Sequence, residues 1–160
     1  MVSDINWEAF SQTKMLVCGD VMLDRYQMGQ TERVSPEAPI PIVLVNNIEQ
    51  RPGGAANVAA NTASLGVNTD LIAYSGNDER AEQLKYLLKE HRVTTHLIQL
   101  PQQQTICKTR IIAQNQQLLR IDDERPYQAD SNALFEKISQ HITTYKAVIL
   151  SDYAKGTLHQ

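Results

Sequence analysis

Short, uniformly apolar runs alternate along this chain with stretches whose apolar residues recur every three or four positions. Residues 15–18 form one such run, ending in Gly19-Asp20. The pattern predicts a strand buried on both faces that delivers Asp20 to the carboxyl edge of a sheet, where ligands collect in α/β folds. Residues 71–74 carry the same signal, as do residues 147–151, which lead into Asp152. Between the first two runs, residues 54–65 are rich in alanine and predict a helix that stops at Gly66. Residues 79–91 place Ala81, Leu84, Leu87, Leu88 and His91 on one helical face, with Asn77 or Asp78 as cap. Asp130 caps a further helix over about residues 131–143, with Leu134, Ile138 and Ile142 turned inward.

The texture changes over residues 26–47, which are rich in Pro, Val and Ile and alternate loosely through Pro39 and Pro41. Prolines there predict edge strands rather than central ones. Residues 96–100, 108–113 and 118–121 read as further strands, the first two joined by the polar loop Pro101 to Thr105. Strand–helix alternation with inserted β segments predicts an α/β fold whose mostly parallel sheet is flanked by helices. No internal repeat and no low-complexity segment interrupts it.

Composition narrows the function classes. With 160 residues the chain is large enough for one modest core. A net charge of -3 gives no general attraction to nucleic acid or to an anionic membrane. No apolar run approaches the roughly 20 residues that span a bilayer, and residues 1–10 carry no secretion-signal pattern. Cys18 and Cys107 lie in unrelated segments and read as reduced thiols of a cytoplasmic protein. His91, His96, His141 and His159 form no cluster in the sequence, and no metal site is expected from them. Neither a Gly-x-Gly-x-x-Gly turn after the first strand nor a P-loop is present.

Candidate chemistry concentrates in Pro52-Gly53-Gly54-Ala55-Ala56-Asn57. Two glycines let the backbone approach a ligand, and a helix starting there points unpaired N–H groups and its positive dipole end at the same spot. Asn57 adds donors and an acceptor suited to a hydroxyl, and Asp20 and Asp24 add acceptors. The plainer alternatives are a tight turn at Gly53-Gly54 and turn or helix caps at the two aspartates. Lys108 and Arg110 alternate on one strand and so face one side, as a phosphate site or as a solvated face. Asp152 and Lys155 follow a strand at the carboxyl edge and are a ligand site or, with Gly156, a structural turn. Arg120 reads as paired with Asp122 or Glu124; Arg33 and Arg51 are reserve cations, and Tyr26 reads as packing.

The run Gly53-Gly54-Ala55-Ala56-Asn57-Val58-Ala59, with Gly66 and Gly76 following, resembles the first signature of the ribokinase-like (PfkB) carbohydrate kinases. Residues 19–26, 35–43, 115–120 and 151–156 are similar in wording to the heptose 7-phosphate kinase branch of that family. The resemblance runs from about residue 13 to Gly156. It implies a ribokinase-like fold with a small β-sheet lid, the lid segments covering about residues 25–50 and 95–122. It implies ATP-dependent phosphorylation of D-glycero-D-manno-heptose 7-phosphate at the anomeric O1, with Mg²⁺, and substrate binding by Asp20, Asp24, Gly53, Gly54, Asn57, Lys108, Arg110, Asp152 and Lys155. The family's second signature, a Gly-Ala-Gly-Asp motif carrying the catalytic base, does not occur here. The chain is therefore expected to be the N-terminal, sugar-binding half of a kinase domain, without turnover of its own. ATP and Mg²⁺ would be held mainly by the other half. Partners implied are the sugar phosphate, ATP and a second copy bound through the lid. The alternatives are another sugar kinase of this fold, or a non-catalytic piece that binds sugar phosphate or pairs through its lid.

Overall fold

The computed structural model describes residues 7–158. In chain order the elements are α1 (Glu8–Ser11), β1 (Lys14–Gly19), β2 (Val21–Val34), β3 (Pro41–Gly54), α2 (Ala55–Ser64), β4 (Asn68–Gly76), α3 (Glu79–Glu90), β5 (Thr94–Leu100), β6 (Cys107–Ala113), β7 (Gln116–Asp123), α4 (Ser131–Ser139) and β8 (Ala147–Ser151). Two four-stranded sheets result. The core sheet runs β5-β4-β1-β8, all neighbours parallel; the second sheet, named the lid after the family resemblance, runs β3-β2-β6-β7.

The apolar runs sit in the core sheet because both of its faces are covered. On one face Val17, Leu71 and Ala73 pack against Ala55, Ala56 and Ala59 of α2 and Leu84 and Leu88 of α3. On the other, Leu16, Cys18, Ile72 and Tyr74 pack against Tyr127 and Leu134 of α4. The alanines of α2 let it lie close to the sheet. Asp78 caps α3 by accepting from the Ala81 N–H at 2.9 Å, and Asp130 caps α4 by accepting from that of Asn132. Gly66 stops α2 at a φ of 90°.

Four expectations are corrected. The edge strands read over residues 26–47 are one long hairpin, β2–β3, which starts directly after Asp20, and of the two only β3 is an edge strand. Pro41 and Pro52 fit because β3 is the outer strand of its sheet. β5 belongs to the core sheet, paired with β4, and not to the lid; Leu97 packs on one face of that sheet and Ile98 and Leu100 on the other. The second lid segment thus begins at Cys107. α4 ends at Ser139 and gives way to a short 3-10 turn, Ile142–Thr144, with Ile142 exposed. Ile142, Thr143 and Thr144 are β-branched and poor helix formers. β8 closes one end of the core sheet, where Val148 and Leu150 are 39% and 65% exposed rather than buried.

β6 and β7 meet at Gln114-Asn115, both in the left-handed region with φ of 51° and 63°. This is the backbone of a two-residue hairpin turn matched to strand twist.

Far from the carboxyl edge, a polar cluster joins the last crossover to the sheet. The nearly buried Asp70 accepts from Tyr145 Oη at 2.7 Å and pairs with Lys14 Nζ at 3.1 Å and His96 Nε2 at 3.4 Å. His96 stacks on His141, so two of the histidines are neighbours in space. His159 lies outside the described residues. Burial alone would raise the Asp70 pKa, but hydrogen bonds from Tyr145 and Lys14 hold it below its usual value. A depressed carboxylate adds stability above its unfolded pKa of about 3.9, and that stability is lost as pH falls through the folded value. Asp70→Asn should therefore cost about 3 kcal/mol at pH 7. The deficit should narrow below about pH 4 in urea melts followed by circular dichroism across that range.

Candidate functional site

Asp20 leaves β1 at the carboxyl edge of the core sheet and is fully buried. Its Oδ2 accepts from the backbone N–H groups of Tyr153 at 2.8 Å and Lys155 at 3.0 Å, and its Oδ1 from that of Thr157 at 2.9 Å. Its own N–H donates to Ser151 O at 3.1 Å, and its carbonyl accepts from Ala55 N–H at 2.8 Å. One residue thus ties β1 to the segment after β8 and to the start of α2. Three backbone donors inside the protein engage the carboxylate of Asp20, the geometry of the turn-anchoring alternative.

The same crowding explains Gly53 and Gly54. Gly54 sits at the N-cap of α2 with φ of 59°, and a Cβ there would lie 2.3 Å from Asp20 O. A Cβ on Gly53 would lie 2.4 Å from Asp24 Oδ2. The room vacated by the two missing side chains is occupied by the aspartates themselves. No side chain caps α2. On its first turn Asn57 is exposed, and its side chain is free of partners among the described residues.

Asp24 lies on β2 between Arg51 of β3 and Lys108 of β6, and Tyr26 lies between Glu49 and Arg110. Directly paired residues of neighbouring strands share a face, so these side chains form one charged face of the lid. The Arg110 guanidinium donates to the Asp24 carboxylate, and Arg110 and Arg51 flank the Tyr26 ring at 5.2 and 4.8 Å from its centroid. Asp24, Tyr26, Arg51, Asn57, Asn61 and His91 line an open cavity of about 490 Å³ between the lid and the α2–α3 layer. Asp24 and Asn57, expected together, are brought together here.

The other predicted cations do not line this cavity, and Lys108, Lys155 and Arg120 are each paired. Lys108 Nζ contacts Asp122 at 3.0 Å and also Glu124; Lys155 Nζ contacts the other oxygen of Glu124 at 2.7 Å. Arg120 grips Asp122 through two hydrogen bonds of 2.8 and 3.0 Å, the pairing read from its sequence neighbours. Lys108 and then Lys155 hold the Glu124 carboxyl below its ordinary pKa. Asp152 is exposed and accepts from Ala154 N–H at 2.8 Å, the geometry of a structural turn. Arg33 lies far along the hairpin, opposite Ile42.

Sequence reasoning did not single out Asn61 and His91 as cavity residues, nor Glu124 as a shared counter-ion. The first two were legible in principle: Asn61 is four residues after Asn57, on the same helical face. Glu124 carried no such signal, since its partners are 16 and 31 residues away.

This architecture, a parallel core sheet with a charged β lid over the N-terminus of a Gly-Gly helix, agrees with the sequence relationships. The profile of the pfkB family carbohydrate kinases matches residues 12–158, and the chain belongs to that family. It is 51% identical over 150 residues to the bifunctional protein HldE of Haemophilus ducreyi, and 47% over 155 residues to that of Salmonella arizonae. These matches cover 93% and 96% of this chain but 32% of each relative, so the chain spans under a third of their length. A carbohydrate kinase from Agrobacterium tumefaciens superposes with a TM-score of 0.66 at 19% identity, over 86% of this chain and 45% of that one. A possible 1-phosphofructokinase from Thermotoga maritima gives 0.67 at 19%, over 85% and 44%. These two share the fold. Among the described residues no helix is long and apolar enough to cross a membrane.

The two aspartates should separate cleanly on mutation. Asp20→Ala leaves three backbone N–H groups unpaired and should destabilise the fold by about 3–5 kcal/mol, read as a lowered denaturation midpoint. Asp24→Ala, at a more accessible position, should cost no more than about 1–2 kcal/mol in the same measurement.

Proposed function

We propose that this chain is the sugar-binding part of a kinase that phosphorylates D-glycero-D-manno-heptose 7-phosphate at O1, giving the 1,7-bisphosphate on the route to ADP-heptose and lipopolysaccharide. The observation that carries the reading is the pairing of Asp24 and the unpartnered Asn57 on one cavity roofed by the charged lid face. In it, Asp24 accepts from sugar hydroxyls, Asn57 contacts a hydroxyl, and the open N-terminus of α2, at Gly54, favours electron-rich oxygens. Gly53 serves by letting Asp24 stand over the strand end. Lys108, Arg110 and Lys155 are the candidates for the sugar's phosphate. Similarity to the HldE proteins and the heptose-kinase wording of residues 19–26 and 151–156 support the substrate.

In the transfer the O1 hydroxyl loses its proton, a bond forms from O1 to the γ-phosphorus of ATP, and the bond from that phosphorus to ADP breaks. The described residues hold no cluster of three or more His, Cys, Asp or Glu that could bind a metal. We assign Mg²⁺, most of the ATP contacts and the general base to the remainder of the kinase, where the family resemblance puts the second signature. The residues of this chain position the sugar and, as the lid closes, exclude water from the transfer.

The test is ADP release by the intact protein with ATP, Mg²⁺ and heptose 7-phosphate, beside fructose 6-phosphate, ribose and adenosine. Turnover should be confined to the heptose and fall at least about 100-fold in Asp24→Asn through lost positioning of the sugar, while its melting temperature stays near wild type. Equal turnover of fructose 6-phosphate or ribose would overturn the substrate assignment.

We also propose pairing of two copies through the lid. Val34, Ile40, Leu44, Val45 and Ile48 are exposed along the β2–β3 hairpin, and β3 presents an open edge. Light scattering should give twice the monomer mass, and Leu44→Glu with Ile48→Glu should return it to one.

A further inference from the structure

Lys108 belongs to the lid and Lys155 to the segment after the core strand β8, yet their ammonium groups meet on one carboxylate, that of Glu124. Glu124 follows β7 directly, on the path from the lid back to the core. Each of its two oxygens serves one lysine. The three side chains are 14%, 22% and 23% exposed, for Lys108, Lys155 and Glu124 in turn, so the bridge is partly open to solvent. Nearby, Arg120 and Asp122 pair with each other, and Asp122 also touches Lys108. The two lysines are thus neutralised chiefly from within the chain, at the seam where the lid joins the core.

We propose that Glu124 is a built-in stand-in for the phosphate of the substrate: it holds Lys108 and Lys155 together until a phosphorylated sugar displaces it and bridges them instead. This rests on the sugar-phosphate reading above and adds the place and the selectivity of phosphate binding. A carboxylate brings one charge and two oxygens; a phosphate monoester brings up to two charges and three oxygens, enough to take over both lysines at once. A neutral sugar offers nothing to either lysine in exchange for the two ion pairs it would break. Glu124 therefore sets a threshold that phosphorylated ligands cross and unphosphorylated ones do not. When the phosphate replaces it, the tie between lid and core passes from the protein to the ligand.

The experiment is calorimetric titration of the intact protein with inorganic phosphate, with heptose 7-phosphate and with unphosphorylated heptose. Wild type is compared with Glu124→Gln, Lys108→Met and Lys155→Met, each checked for folding by circular dichroism. Glu124→Gln should tighten inorganic phosphate at least about 5-fold and leave the neutral sugar unchanged, while either lysine variant should weaken phosphate at least about 10-fold. A second measurement needs no variant. The carboxyl carbon of Glu124, followed by NMR, should titrate at higher pH when heptose 7-phosphate is bound, because its lysines have left it.

Unchanged or weaker phosphate binding in Glu124→Gln, or an unmoved Glu124 titration, overturns the inference. Heptose 7-phosphate bound equally well by wild type and all three variants overturns it while leaving the substrate reading intact. No binding of the phosphorylated sugar to any of them overturns both.

Discussion

The carboxylate of Asp20 is the interaction on which the rest of the carboxyl edge depends. It is buried, and it is satisfied by N–H groups of Tyr153, Lys155 and Thr157 rather than by cations. A buried charge is tolerated only when its hydrogen bonds are complete. The segment after β8 must therefore fold back over β1, which places Lys155 beside the lid. The carbonyl of the same residue receives the Ala55 N–H and starts α2, which brings Asn57 to the cavity. One carboxylate held by backbone donors thus positions two residues that are proposed to bind the sugar phosphate.

The lid follows a different rule. Its cavity-side face carries cations and anions in near balance, each cation held by a carboxylate of the same or an adjoining strand. Pairing of this kind contributes little to stability where solvent reaches it, but it keeps long side chains extended and aimed. Arg110 and Arg51, 5.2 and 4.8 Å from the centroid of the Tyr26 ring, are held in place by an aromatic ring as well as by charge. The core sheet, by contrast, relies on apolar contact on both faces, and it is uncovered at β8.

Much of this was legible in the residues. The apolar runs located β1 and β4, and alanine content with Gly66 bounded α2. Asp78 and Asp130 announced the helices they cap. What escaped was whatever depends on partners distant in sequence. The apolar content of residues 96–100 does not say whether they pair with β4 or with the lid, and only the register with β4 decides it. Nothing local distinguishes Asp20, whose donors come from beyond residue 150, from Asp24, which faces the cavity. The glycine motif has a packing reason that its wording does not carry: Gly53 and Gly54 make room for two aspartates as well as opening the helix end. The Gln114-Asn115 turn lacked the usual Asn-Gly wording, so the hairpin was read as two separate strands.

The placement of β1 in the middle of its sheet bears on how the protein is made. Its neighbour β8 lies more than a hundred residues downstream, and the donor to Asp20 Oδ1 is 137 residues away. At roughly 5–20 residues per second, Asp20 is synthesised about 7–27 s before that donor. During the interval β1 has at least one open edge and an unsatisfied carboxylate at its tip, so the nascent sheet stays incomplete. Association with chaperones, and any loss to aggregation, should therefore concentrate in that window of translation.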